Sequence, residues 1–259
     1  MRAGGGILGL VVVLAAVFLP RLLSGGGQGF AGSEDPALSG ADAGPVACET
    51  EIEQIVCGAV DDVSEYWLAE FPDLWGRPYD EADTVFFTGA TNTGCGQGNA
   101  QMGPFYCPAD ALVYFDLDFL LRLQQQFGAT GDLAAQYIVA HEYGHHVQNL
   151  LGVSRDVRRL QQQNPGLANQ YSVALELQAD CFAGAWAQSA DQRAQLEPGE
   201  IAEALNAAAA VGDDRIQSGS GMAVDPDSFT HGTSEQRVQW FRRGYDTGDP
   251  RRCTTFDEL

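Results

Sequence analysis

Two pairs of polar side chains, each spaced by four residues, limit what this chain can fold into. The first is His141 and His145 in "AHEYGHHVQNLLG", residues 140–152, and the second is Glu176 and Asp180 in "ELQAD". Both segments read as helices, where residues four apart stand one turn apart on a single face. The neighbours of the second pair, namely Val173, Ala174, Leu177, Cys181 and Phe182, are mostly apolar or small. Two carboxylates on such a half-buried face need partners, and paired imidazoles are suited to be them. A fold that brings the two helices together meets both demands.

Composition sets the scale. At 259 residues and 45% apolar content the chain can fill one core, and hardly two independent ones. Acidic residues outnumber basic ones 35 to 14, the formal charge is -21, and there is no lysine. Nucleic-acid binding draws on clustered positive charge, so nucleic acid is excluded as a partner. The acidity reads as a solvated, self-repelling surface.

Near the N-terminus, Arg2 precedes the uncharged run "ILGLVVVLAAVFL", Ile7 to Leu19, with Pro20 and Arg21 behind it. Residues 1–23 read as a signal anchor that stays in the membrane or as a signal peptide, with "GFA" at 29–31 offering small residues to a peptidase. Either way the basic N-terminus favours the inside and the rest of the chain lies outside the cytoplasm. The expectation is a single-pass cell-membrane protein, or a secreted one if the segment is cleaved. Residues 24–47, rich in Gly, Ala, Ser and Asp, read as a flexible linker, which leaves 48–259 as the folded domain. Six cysteines without a C-x-x-C pair suit disulfides better than a thiolate metal site. The expected pairs are Cys48 with Cys57 and Cys95 with Cys107, for their short separation, and Cys181 with Cys253 by elimination.

The fold class reads as α+β. Apolar spacing predicts a helix over 48–71 that Pro72 ends. The β-prone runs "TVFFTG" and "ALVYFDLDF" predict a small sheet within 83–118, its glycine-rich loop clamped by a disulfide. Helices follow over about 132–151, 170–190 and 199–211. A last one, over about 234–243, opens on a capping box of Thr233 and Gln236.

The chemistry lies in "HEYGH". The pattern H-E-x-x-H sets two imidazoles where they can share one metal ion, and Glu142, angled away from their face, can reach a water held by that metal. Imidazole nitrogens suit zinc, which lowers the pKa of bound water from about 15.7 to about 7. A catalytic zinc takes a third protein ligand and keeps one position open. One of Glu176 and Asp180 can be that ligand while the other accepts the remaining ring N–H of a ligating histidine. The two motifs together predict a metal-dependent hydrolase with Glu142 as general base. His146, about a hundred degrees round the helix from His145, reads as a packing or hydrogen-bonding residue. His231 reads either as a capping or core histidine or as a donor to the oxyanion that forms when water attacks a peptide carbonyl.

The blocks "GPFYCPAD", "VYFDLDF", "AHEYGHHVQNLLG", "ELQADCFAGAW" and "HGTSEQRVQWFRRGY" resemble the neutral zinc metallopeptidase family of bacterial membrane-associated proteins, from about Gly94 to the C-terminus. H-E-x-x-H with a downstream E-x-x-x-D is also similar to the wider gluzincin pattern. The resemblance implies a zincin-like domain, Zn2+ on His141, His145 and Glu176, and Glu142 as base. It places Asp180 behind a ligand histidine, and His231 with Arg237 near the substrate or oxyanion. It further implies an N-terminal membrane anchor and a peptide or protein substrate. Extended substrate is expected along a sheet edge, near Asn99 to Met102 or Leu112 to Phe115. The alternatives are a zinc amidase acting on cell-wall peptides and a non-catalytic, membrane-tethered zinc-binding protein.

Overall fold

A computed structural model describes residues 47–99, 102–127 and 132–258. The N-terminal segment 1–23 and nearly all of the linker 24–47 lie outside the described residues. Among the described residues no helix is long and apolar enough to cross a membrane.

The domain opens with α1 (Glu51–Trp75), whose first turn carries a reciprocal capping box between Thr50 and Glu53. Contrary to expectation, Pro72 does not end it. The helix runs to Gly76, which adopts φ 65° and donates its N–H to the Pro72 carbonyl. A proline so near the end forfeits one backbone bond, and packing of Phe71 on Trp75, centroids 4.9 Å apart, holds the last turn together.

Five short strands follow: β1 (Thr84–Phe87), β2 (Ala90–Thr93), β3 (Gly96–Asn99), β4 (Phe105–Cys107) and β5 (Leu112–Asp116). They make two sheets rather than the one expected. β5 is central in a three-stranded sheet, parallel to β1 and antiparallel to β4, while β2 and β3 form a separate hairpin within the glycine-rich stretch. The Cys95–Cys107 disulfide ties the hairpin turn to β4. Val113 and Tyr114 of β5 are paired on both sides, so the middle of the expected segment Leu112 to Phe115 has no free edge for an added strand. Among the described residues β3 pairs only with β2.

The rest is helical: α2 (Leu117–Phe127), α3 (Leu133–Leu151), α4 (Val153–Gln163), α5 (Ala168–Gln192), α6 (Glu200–Ala210), α7 (Asp213–Gly219) and α8 (Ser234–Thr247). The periodic helices α3, α5, α6 and α8 stand where apolar spacing predicts them, with α8 continuing four residues beyond. Three others were not anticipated. α2 begins directly after β5, where Asp116 Oδ1 accepts from the backbone N–H of Asp118 and Phe119 at 2.9 and 3.2 Å. α4 buries only Ser154 and Val157, so it leaves almost no apolar period to read.

α3 packs on α1, α5 and α6, and α5 packs on α8. Glycines allow the close crossings. Gly144, inside "HEYGH", faces the backbone of Ala179 on α5; Gly184 on α5 faces the Phe241 carbonyl, and Gly244 on α8 faces the Cys181 carbonyl. A mid-helix glycine costs up to about 1 kcal/mol relative to alanine, and here the gain is backbone approach that brings 141 and 145 to 176 and 180. All three disulfides pair as expected, and the last joins α5 to the C-terminal segment.

The α5–α8 crossing yields a stability test. A Cβ at position 184 would overlap the Phe241 carbonyl, a backbone atom that cannot rotate aside. Gly184→Ala should therefore destabilise the zinc-free protein by about 3 kcal/mol, the upper end of overpacking costs, measured by urea unfolding. A midpoint unchanged from wild type would show that the two helices separate freely.

Candidate metal centre

The α3–α5 crossing sets the geometry. His141 and His145 project from one face of α3, and Glu176 reaches between them from α5. Glu176 Oε2 lies 3.2 Å from His141 Nε2, and Oε1 lies 3.4 Å from His145 Nε2. One ligand-type atom from each of the three residues falls within 4.8 Å of the others. Two imidazole nitrogens and a carboxylate oxygen make a donor set that zinc takes.

The field agrees with that chemistry. Burial pushes His141 toward the neutral form, but the Asp180 and Glu176 carboxylates outweigh it and raise its pKa to about 10. The same contest raises His145, with Glu176 the main opposing charge. Burial raises Glu176 too, yet His145, His231 and His141 hold it well below the ordinary carboxylate range. The carboxylates thus favour positive charge at these rings, as protons that a bound metal would displace.

Asp180, one turn beyond Glu176, stands on the other side of His141. His141 Nδ1 donates to Asp180 Oδ1 at 2.9 Å, and the Tyr137 hydroxyl donates to the same oxygen at 2.6 Å. Arg237, from α8, donates from Nε to Oδ2 at 2.8 Å and from Nη2 to Oδ1 at 2.9 Å. Burial works against the Asp180 carboxylate, but Arg237 and His141 hold its pKa down to about 2. Arg237 is itself buried and also donates to the Val211 carbonyl. Its guanidinium is thus committed to Asp180, across His141 from Glu176.

Glu142, His141, His145, Glu176 and His231 line a common cavity of about 350 Å³. Its further walls include Phe119, Ile138, Val157 and Leu175, together with Gly96, Gln97 and Gly98 of β3. His231 reaches it from the loop before α8. Asp213, at the start of α7, anchors that loop: its Oδ2 accepts from the backbone N–H of Thr230, His231 and Gly232 at 2.8, 2.6 and 3.0 Å. Its Oδ1 lies 3.3 Å from His231 Nδ1. Burial works against the Asp213 carboxylate, but His231 and then the loop N–H groups hold its pKa below the usual range. His146 points elsewhere. It donates from Nε2 to the Asp80 carbonyl at 2.6 Å and accepts at Nδ1 from the Tyr106 hydroxyl at 3.1 Å, the packing and hydrogen-bonding place expected of it.

Asp213, Tyr137 and Gln148 belong to the site yet carry no motif. Gln148, at i+3 from His145, was within reach of helical spacing; Asp213 was not, since 18 residues and a loop separate it from His231.

The chain is 46% identical over 253 residues to "Uncharacterized protein YpfJ" of Escherichia coli (strain K12), covering 97% of this chain and 86% of that one. It is 49% identical over 189 residues to "Uncharacterized protein Rv2575" of Mycobacterium tuberculosis (strain ATCC 25618 / H37Rv), covering 69% of this chain and 63% of the relative. No solved structure matches. One family spans residues 1–256, and the chain belongs to it: the family described as "Putative neutral zinc metallopeptidase".

Proposed function

We propose that this chain is a zinc-dependent metalloendopeptidase, with His141, His145 and Glu176 as the protein ligands of zinc. The observation that carries the reading is their convergence within 4.8 Å on the wall of a cavity that Glu142 and His231 share. When bound, zinc supplies Lewis acidity, acidifying a water and polarising a carbonyl. Glu142 accepts the proton of the water that attacks the peptide carbonyl and returns it to the leaving amine. His231, whose Nδ1 lies against the Thr230 hydroxyl and Asp213, donates from Nε2 to the oxygen on which charge develops. Asp180 holds His141, and Arg237, bound to Asp180, lines the same cavity.

Extended substrate lies along β3, where Gly96, Gln97 and Gly98 line the cavity and where, among the described residues, β2 is the one paired strand. The apolar side chains of Ile138, Val157 and Leu175 favour an apolar residue beside the scissile bond. Residues 1–23 tether the domain to the cell membrane with the site outside the cytoplasm, a placement supported by three disulfides.

The test is zinc stoichiometry with hydrolysis of a quenched-peptide pool, wild type beside Glu176→Ala. Expected are one zinc per chain, chelator-sensitive hydrolysis, and loss of both in the variant. Hydrolysis of peptidoglycan but not peptides would make the enzyme an amidase, and bound zinc with neither activity would overturn the catalytic reading. A finer result concerns Asp213→Asn. The isosteric amide keeps an oxygen for the loop but loses the negative charge beside the His231 ring. kcat should fall roughly 10-fold or more, short of the ~100–1,000-fold that loss of an oxyanion donor itself costs, with zinc content unchanged. Undiminished kcat would remove His231 from the reaction.

A further inference from the structure

His145 has one ring nitrogen toward Glu176 and the other toward the interior. Nδ1 lies 2.8 Å from Gln148 Oε1, and Gln148 is completely buried. The Gln148 amide nitrogen donates to the Leu175 carbonyl at 2.7 Å and to Gln178 Oε1 at 3.1 Å. Gln178 in turn donates from Nε2 to the Cys253 carbonyl at 2.8 Å. Cys253 is bonded to Cys181 on α5, and the segment is pinned again where the Thr255 hydroxyl donates to the Ala174 carbonyl at 2.6 Å.

The carbonyl ends of this chain of bonds determine its direction, because a backbone carbonyl can only accept. Cys253 O selects the nitrogen end of Gln178, which turns Oε1 toward Gln148. Leu175 O and Gln178 Oε1 both select the nitrogen end of Gln148, which turns its Oε1 toward His145. An amide oxygen also only accepts, so His145 must donate from Nδ1. In the neutral imidazole that a metal would require, Nε2 is then left with a lone pair on the side of Glu176. His141 obtains the same orientation from a carboxylate, Asp180; His145 obtains it from two neutral amides and the C-terminal segment.

We propose that Gln148 and Gln178 are positioning residues that hold His145 as the Nδ1–H tautomer, with Nε2 free for the metal, and that the disulfide-anchored C-terminal segment sets the sense of the relay. This rests on His145 being a zinc ligand. Two glutamines that merely satisfied one another could adopt either sense; these are held to one by carbonyls at Leu175 and Cys253.

The test measures the zinc dissociation constant of the full chain by chelator competition for wild type, Gln148→Met, Gln148→Glu and Gln178→Met. Outer-shell partners of ligand histidines typically contribute about 10- to 100-fold in affinity. Gln148→Met should weaken zinc by that amount, and Gln178→Met by less, because Leu175 O still orients Gln148. Gln148→Glu retains an accepting oxygen for Nδ1 but loses the donor to Leu175 O and Gln178 Oε1, and should bind zinc more tightly than Gln148→Met while remaining weaker than wild type. A measurement free of variants guards against misfolding: nitrogen-15 NMR of the zinc-loaded wild type should show His145 protonated at Nδ1 and metal-bound at Nε2. Coordination through Nδ1, or wild-type affinity in Gln148→Met, overturns this inference alone. A wild-type chain that does not bind zinc overturns the ligand assignment as well.

Discussion

Glu142→Gln should leave zinc in place and cut peptide hydrolysis by about 100- to 10,000-fold, the usual contribution of a positioned general base. Glu142 follows His141 on α3 and lines the cavity with the candidate ligands, but it is not one of the three residues whose ligand atoms converge. The amide matches the carboxylate in size and keeps an acceptor, yet it cannot take a proton from water near neutral pH. Zinc content by elemental analysis and single-turnover hydrolysis, read on the same sample, separate the roles. Loss of zinc would make Glu142 a ligand. Full hydrolysis would place the base elsewhere in the cavity.

Asp180→Ala carries the largest expected effect on stability. Asp180 is completely buried and serves His141, Tyr137 and Arg237 at once. Removing one partner of a buried ion pair typically costs about 3–5 kcal/mol, chiefly because the remaining charge is left without compensation. Here the remainder is Arg237, itself buried in the same cluster. Urea unfolding in chelator should show that loss with no metal present. Zinc affinity of the folded fraction should fall a further 10- to 100-fold or so, because His141 loses the group that fixes its ring. Asp180→Leu combined with Arg237→Met separates the two effects: it removes both charges and should recover much of the stability while zinc affinity stays low. If Asp180→Ala unfolds at the wild-type urea concentration, Arg237 has found another partner and the cluster is not the anchor of the α3–α5–α8 core.

How much was legible beforehand depended on the range of the interaction involved. Helices α3, α5, α6 and α8 were readable because their apolar faces repeat with helical period, and the Thr233–Gln236 capping box marked the start of α8. α4, with Ser154 and Val157 as its buried residues, gave no such period, and the end of α1 was misplaced because aromatic packing in its last turn outweighed Pro72. That β3 pairs only with β2 among the described residues depended on pairing partners, which no single strand encodes.

By itself the sequence determined the local chemistry: two imidazoles one turn apart, a glutamate beside them, two carboxylates one turn apart on a second helix, and cysteines numerous enough for three bridges. Helix geometry fixes such relations within a turn or two, so spacing suffices to read them. The tertiary structure alone decided that Glu176 faces both rings while Asp180 stands behind His141, 39 residues away in sequence. It also decided that Arg237 is bound to Asp180 across 57 residues, and that Asp213 holds the loop of His231 across 18. The contacts among His141, Glu176, Asp180 and Arg237 follow from how closely α3, α5 and α8 approach at Gly144, Gly184 and Gly244, and backbone distance between separate helices is a property of packing that no spacing within one of them expresses.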